Sequence, residues 1–317
     1  MEQLINVVHR TPLMTSTTIN EMTGKKVYFK MENQQKTGAF KIRGASYKIS
    51  QLTEREANKG VIAASAGNHA QGVALAASTR GIQAKIYMPA KTPEAKVAAT
   101  KSYGAKIVLT GESFQEAYEA AMEEQSQTNS TFVHPFDDYD VIAGQGTVAV
   151  EMIQQQSFID TLIVPIGGGG LISGVAIAAK QINPKIRIIG VQAQGASPTY
   201  NRYHKCGPSS LQQVSTIADG IAVKKPGIHT FPIIQAYVDD IVTVSDVDIA
   251  SAIIYMLERN KTLMEGAGAA AFAALLVHGH LIRSSHCGVI VSGGNMDLSK
   301  MQQIQMLANQ TKISCLA

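Results

Sequence analysis

Short runs of apolar, mostly β-branched residues recur along this chain, each closed by a glycine or polar turn and followed by a helix-period pattern. Residues 61–65 lead through Ala66-Gly67-Asn68 to a helical pattern over 69–79, 85–88 lead through Pro89 to one over 93–103, and 106–109 lead to one over 113–124. Further on, 161–166 lead through a glycine run to a helix over 171–181, with two more apolar runs at 187–191 and 288–292. The opening segment 26–31 also reads as a strand. Strands apolar on both faces suit parallel sheets covered by helices on each side. The fold class is therefore α/β with open, wound sheets. The units fall into two groups, around 60–135 and 160–300, and no Pro/Ser linker separates them. The expectation is a two-lobed body with a cleft between the lobes, and 317 residues are enough for one large core or two modest ones.

The glycine run is Gly167-Gly168-Gly169-Gly170, set between an apolar strand and a helix. With every Cβ absent, backbone N–H groups can approach an anion, and the helix N-terminus adds partial positive charge. A Walker A loop needs Gly-Lys-Ser/Thr at its end, which is missing here. A dinucleotide fingerprint needs glycine at i, i+2 and i+5, and both possible frames fail, at Ile172 and at Ser173. No Arg or Lys lies nearby, so the loop would hold one phosphate by backbone donors alone. That suits a small phosphorylated cofactor better than a nucleoside triphosphate with magnesium. The plainer alternative is a glycine run that only lets a helix pack closely on a strand.

Composition narrows the classes further. The net charge of +4 is spread without a basic block, which argues against nucleic acid as a partner. Cys206, Cys287 and Cys315 form no CxxC pair and read as reduced thiols, with no metal site. The most apolar stretch, 267–277, is too short to span a bilayer, and the N-terminus lacks the pattern of a signal peptide. The expectation is a cytoplasmic protein with no membrane partner.

Lys41 lies just after a glycine turn, near the start of a helical pattern running to about Leu52. A lysine forms imines only when enough of it is neutral, and a helix N-terminus and nearby Arg43 both favour the neutral amine. An isolated lysine is ordinarily a solvated surface charge. The flanks Gly38-Ala39-Phe40 and Ile42-Arg43-Gly44-Ala45 are too apolar and glycine-rich for an ordinary exposed helix face.

Four motifs in order, Lys36-Thr37-Gly38-Ala39-Phe40-Lys41-Ile42-Arg43-Gly44-Ala45, Ser65-Ala66-Gly67-Asn68-His69-Ala70-Gln71-Gly72, Gly167-Gly168-Gly169-Gly170-Leu171 and Ser292-Gly293-Gly294-Asn295, together resemble the threonine dehydratase/serine racemase group. That group belongs to the tryptophan-synthase-β-like, fold type II pyridoxal-phosphate enzymes. The resemblance extends to Ala143-Gly144-Gln145-Gly146-Thr147 and Ile217-Ala218-Asp219-Gly220, and so covers nearly the whole chain. It implies a large cofactor-binding domain over 1–49 and 142–317, a small domain over 50–141, and pyridoxal 5'-phosphate as the cofactor. It implies that Lys41 is the Schiff-base lysine and the base at the substrate's Cα. Gly167, Gly168, Gly169, Gly170 and Leu171 match the phosphate loop, and Phe40 the ring beside the cofactor. Asn68 matches the partner of the cofactor's 3′ oxygen, Glu265 a glutamate near the ring, and Ser292 the partner of the pyridine nitrogen. The turn Ser65, Ala66, Gly67, Asn68 and His69 is implied to receive the substrate carboxylate, with Ser65 and Asn68 also in the catalytic set. The plainer readings are an ordinary N-cap turn at 65–69, a core phenylalanine at 40, a helix cap at Ser292 and a first-turn helix acid at Glu265.

The implied reaction is dehydration and deamination of a hydroxy amino acid: L-threonine to 2-oxobutyrate and ammonia, and L-serine to pyruvate. Two departures bear on the choice within the group. Racemases need an acid–base serine on the cofactor face opposite the lysine, where this chain has Ala66. Eukaryotic-type racemases bind a divalent metal through carboxylates where this chain has Gln192 and Pro198. Both favour a dehydratase over serine racemase, while a serine dehydratase or a β-replacement enzyme stays open, because one methyl is worth only about 1–3 kcal/mol in an apolar pocket. The rival from another class is a non-catalytic nucleotide-binding protein. The chain stops soon after the implied catalytic body, as in the short degradative type, with a homodimer or homotetramer as the family's assembly.

Overall fold

The computed structural model describes residues 2–310, so Cys315 lies outside the described residues. By internal packing the chain divides into two units, Met1–His9 with Gln35–Gln145, and Arg10–Gln34 with Gly146–Ala317. The helix Tyr139–Gln155 carries the chain from the first into the second.

In the first unit a parallel four-stranded sheet runs in the order Lys106–Leu109, Ala84–Met88, Val61–Ala64, Thr131–Phe132. Val61–Ala64 is buried at every position because helices cover both faces. Ile42, Ala45 and Ile49, one face of the helix Lys41–Ser50, share a core with Val61, Ala63, Val73 and Ile86. That contact moves the expected domain limits. The segment around Lys41, assigned from sequence to the large domain over 1–49 and 142–317, packs instead with the four-stranded sheet; residues 10–34 stay with the larger unit.

The second unit holds a six-stranded sheet in the order Leu13–Met14, Lys26–Met31, His286–Val291, Thr161–Pro165, Arg187–Ala193, Asp240–Val244. All neighbours are parallel except the first pair. Each strand expected from sequence is present, with ends shifted by at most two residues. Asp240–Val244 was not expected. It is an edge strand, begins with aspartate and buries only Ile241 and Val244, so it lacks the continuous apolar run of its neighbours. Its core partner is the helix Gly266–His278, whose first ten residues, 266–275, are all buried. A helix apolar all round belongs inside a core rather than across a bilayer at this length. No helix among the described residues is long and apolar enough to cross a membrane.

One ionic contact lies deep in this unit. Lys30 is fully buried and its Nζ donates to Glu151 Oε2 at 2.6 Å, the Thr11 carbonyl at 2.8 Å and Gln155 Oε1 at 3.0 Å. Thr11 in turn donates its hydroxyl to Glu32 Oε1 at 2.5 Å. The cluster ties the strand Lys26–Met31 to the end of Tyr139–Gln155. Removing one partner strands a buried charge. Lys30→Met is expected to lower unfolding free energy by about 3–5 kcal/mol, measured by urea denaturation, with Glu151→Gln in the Lys30→Met background recovering part of the loss.

Candidate active site

In the first unit the chain leaves Val61–Ala64, winds to Ala84–Met88 and Lys106–Leu109 on one side, and returns to Thr131–Phe132 on the other. The carboxyl end of Val61–Ala64 is thus the point where the winding reverses, the usual place for ligands in such sheets. The turn Ser65 to His69 emerges there. Ser65 Oγ accepts the Gly67 N–H at 3.2 Å, and Gly67 opens the helix Asn68–Thr79 without a side-chain cap. Ser65, Ala66, Gly67 and Asn68 are half-buried, while His69 is buried. A helix start of this kind suits a carboxylate.

Lys41 is the first residue of its helix, with Phe40, half-buried, at the N-cap. Its Nζ donates to the Pro135 carbonyl at 2.7 Å and stands 5.3 Å from the centre of the Phe40 ring. Pro135 belongs to the turn that leaves the neighbouring strand Thr131–Phe132, and His134 Nδ1 shapes that turn by accepting the N–H groups of Phe136 and Asp137 at 3.2 and 2.7 Å. Gly72 lets the two helices meet: a Cβ there would stand 3.1 Å from the Lys41 carbonyl carbon. The lysine and the 65–69 turn are therefore brought together by backbone contact. Arg43 points elsewhere, fully buried, with Nη2 donating to the His9 carbonyl at 3.3 Å.

His69, read from sequence only as part of the turn, has a more definite state. Its Nε2 lies 2.8 Å from the Val133 carbonyl, and a carbonyl can only accept, so Nε2 carries the proton. Its Nδ1 is buried without a hydrogen-bond partner. Burial first, then the charge on Lys41, push the imidazole pKa down to about 3. The ring is neutral at any ordinary pH.

In the second unit the strands Thr161–Pro165 and His286–Val291 are parallel neighbours, so their carboxyl ends lie at one edge of the sheet. From the first comes the glycine loop, and from the second Ser292. Gly169 takes the left-handed conformation, φ +99°, and caps the helix Gly170–Ile182. No backbone N–H of residues 168–172 donates to a carbonyl among the described residues. Gly167 sits against residue 221, where a Cβ would stand 3.2 Å from the Ile221 Cα. Ser292, buried, donates its hydroxyl to the Ala267 carbonyl at 3.2 Å. The Glu265 N–H donates to the Gly293 carbonyl at 3.2 Å and Glu265 caps the helix Gly266–His278. Gly167, Gly168, Gly169, Gly170, Leu171, Glu265 and Ser292 thus stand along one sheet edge.

These groups fit the cofactor implied by the sequence. The uncapped N–H groups of the glycine loop make a cradle for a phosphate, Ser292 offers a buried hydroxyl to a ring nitrogen, and Lys41 offers a primary amine to an aldehyde. Sequence reasoning missed Pro135 and Thr230. The first offers only a carbonyl, which has no residue-type signal. The second lies far along the chain from the loop it touches, with its hydroxyl donating to the Gly168 carbonyl at 2.7 Å.

The sequence profile of the pyridoxal-phosphate dependent enzymes matches residues 5–293. The chain is 48% identical to an L-threonine ammonia-lyase of Thermotoga maritima over 95% of its own length and 75% of the relative's. It is 44% identical to the catabolic L-threonine dehydratase TdcB of Escherichia coli K12, over 96% and 93%. Among solved structures it resembles threonine deaminase isoform 2 of Solanum lycopersicum with a TM-score of 0.94 at 38% identity, covering 97% and 85% of the two chains. It also resembles maize serine racemase with a TM-score of 0.90 at 42% identity, covering 98% and 95%.

The state of His69 has a pH consequence. Its folded pKa of about 3 lies below the ordinary 6.5, so the folded protein refuses a proton that the unfolded chain accepts. The associated stability is complete above 6.5 and is lost as pH falls from there toward 3. Within that window unfolding free energy should drop by up to about 1.4 kcal/mol per pH unit more in the wild type than in His69→Gln. Paired urea titrations across the window test this, and parallel slopes for the two proteins would contradict it.

Proposed function

The chain belongs to the pyridoxal-phosphate dependent enzymes, and on that premise we propose that it is an L-threonine ammonia-lyase, which also takes L-serine. The reading rests on likeness to threonine ammonia-lyases along nearly the whole chain, joined to a site whose parts fit the cofactor. When bound, pyridoxal 5'-phosphate supplies an electrophilic carbon for amines and an electron sink for the substrate's Cα.

The chain's own groups do the rest. Gly167, Gly168, Gly169, Gly170 and Leu171 would hold the phosphate through their N–H groups, Ser292 would meet the ring nitrogen, and Asn68 would meet the 3′ oxygen. Phe40 packs beside the ring and Glu265 stands near it. Ser65 to His69 receive the substrate carboxylate at the helix start, which fixes the amino acid's orientation. Lys41 would hold the cofactor through its amine, and the free amine would take the α-proton. Loss of the β-hydroxyl as water leaves an enamine, which hydrolyses to 2-oxobutyrate and ammonia; from L-serine the oxo acid is pyruvate.

Two residues favour elimination over racemisation. Ala66 presents a methyl where a racemase needs an acid–base group on the second face, and a methyl moves no proton. Gln192 is fully buried and engaged, donating toward the Ile166 carbonyl at 3.4 Å and accepting the Tyr200 N–H at 2.8 Å. Its amide braces the sheet end where racemases place a metal-binding carboxylate. A homodimer or homotetramer in the cytoplasm completes the reading.

The chain has no tryptophan, so a bound cofactor stands out as absorbance at wavelengths longer than the tyrosine band. The purified protein should show such a band, lose it in Lys41→Ala, and release 2-oxobutyrate from L-threonine. A band without oxo-acid release would turn the assignment to racemisation or β-replacement. No band after addition of pyridoxal phosphate would overturn it.

A further inference from the structure

The glycine loop offers its N–H groups on one side only if its carbonyls are held on the other. The Gly168 carbonyl is held there by two donors, Thr230 Oγ1 at 2.7 Å and the Gly227 N–H at 3.3 Å. A trans peptide is planar, with its N–H opposite its C=O, and no peptide among the described residues is cis. Fixing the Gly168 oxygen toward Thr230 therefore turns the Gly169 N–H to the opposite side. Gly169 is left-handed, and a Cβ there would stand 2.8 Å from Thr230 Oγ1 and 2.9 Å from Ile234 Cδ1. The threonine thus fills the space that a side chain at 169 would need.

Thr230 is itself held in place by packing and hydrogen bonds. It is fully buried, begins the helix Thr230–Tyr237, and its own carbonyl accepts the Ser173 hydroxyl at 3.3 Å from the helix that the loop starts. The clamp is built from both sides of the loop: Gly227 and Thr230 on one segment, Gly168, Gly169 and Ser173 on the other.

We propose that Thr230 is a positioning residue for cofactor phosphate binding, holding the Gly168–Gly169 peptide so that its N–H faces the phosphate. The inference rests on the cofactor reading above. It concerns the phosphate alone, and that separates it from a general role in folding. Pyridoxal lacks the phosphate and depends only on the amine and ring contacts.

The test is titration of the full chain, freed of cofactor, with pyridoxal phosphate and separately with pyridoxal, followed by absorbance. Thr230→Val keeps the side-chain shape and removes the donor. It should weaken pyridoxal phosphate binding roughly ten-fold and leave pyridoxal binding unchanged, while Thr230→Ser restores wild-type affinity. Thr230→Ala, with the same expectation, serves if the valine variant does not fold. Unchanged affinity for pyridoxal phosphate, or an equal loss for both ligands, would overturn the proposal. A wild-type chain that binds neither ligand would remove the cofactor reading itself, and the proposal with it.

Discussion

Backbone lying directly against backbone at the carboxyl ends of the parallel strands is the contact on which the candidate site depends. At Gly268 a Cβ would overlap the Gly293 carbonyl oxygen, and at Gly266 it would stand 2.5 Å from the Ile217 carbonyl. These approaches draw the segments carrying Glu265 and Ser292 to one another through main chain, which has fewer ways to move than side chains do. The same device joins Lys41 to the helix after the 65–69 turn, through Gly72. Glycine costs conformational entropy, about 0.5–1 kcal/mol per position in a helix. The alanine-rich, wholly buried start of Gly266–His278 is what lets such glycines be carried in a stable core.

Much of this was legible in the sequence, for a physical reason. Central parallel strands are covered on both faces, so each leaves an unbroken apolar run, and a glycine loop after one of them can be recognised locally. Lys26–Met31 was read to its ends and Thr161–Pro165 to within a residue. Asp240–Val244 was missed because this edge strand buries only Ile241 and Val244 and so leaves no unbroken apolar run. The division into units is less legible for a different reason. The pattern over 41–50 shows that a helix has an apolar face, but nothing in it says which sheet that face will meet.

The site divides in the same way. Lys41, the glycine loop and the Ser-Ala-Gly-Asn-His turn announce themselves through residue types placed where ordinary helix faces would not tolerate them. Pro135, His134 and Thr230 do not, because each acts through geometry: a carbonyl aimed at an amine, a ring nitrogen closing a turn, a hydroxyl turning a peptide. His69 lies between the two cases. Its presence in the motif was visible, but its neutrality follows only from its burial and from the Val133 carbonyl that fixes its tautomer. A neutral ring beside Lys41 adds no positive charge to the site, and it resists protonation as pH falls.

The choice between elimination and racemisation turns on what each asks of the two faces of Cα. Racemisation needs negative charge at Cα to survive until a proton arrives from the face opposite the lysine. A ring nitrogen met by a hydroxyl rather than a carboxylate is a milder electron sink, and Ser292 is such a partner on the proposed assignment. Its proton is spent on the Ala267 carbonyl in this structure, and a hydroxyl can turn it elsewhere at little cost. A milder sink shortens the life of charge at Cα, and on the proposed assignment Ala66 stands at the second face, where its methyl donates no proton. A departing β-hydroxyl needs neither a long-lived charge nor a second-face acid, because the electron pair at Cα leaves toward Cβ as the C–O bond breaks. Ala66 is thus the position that presses toward elimination, while Ser292 belongs to the motif that dehydratases and racemases share.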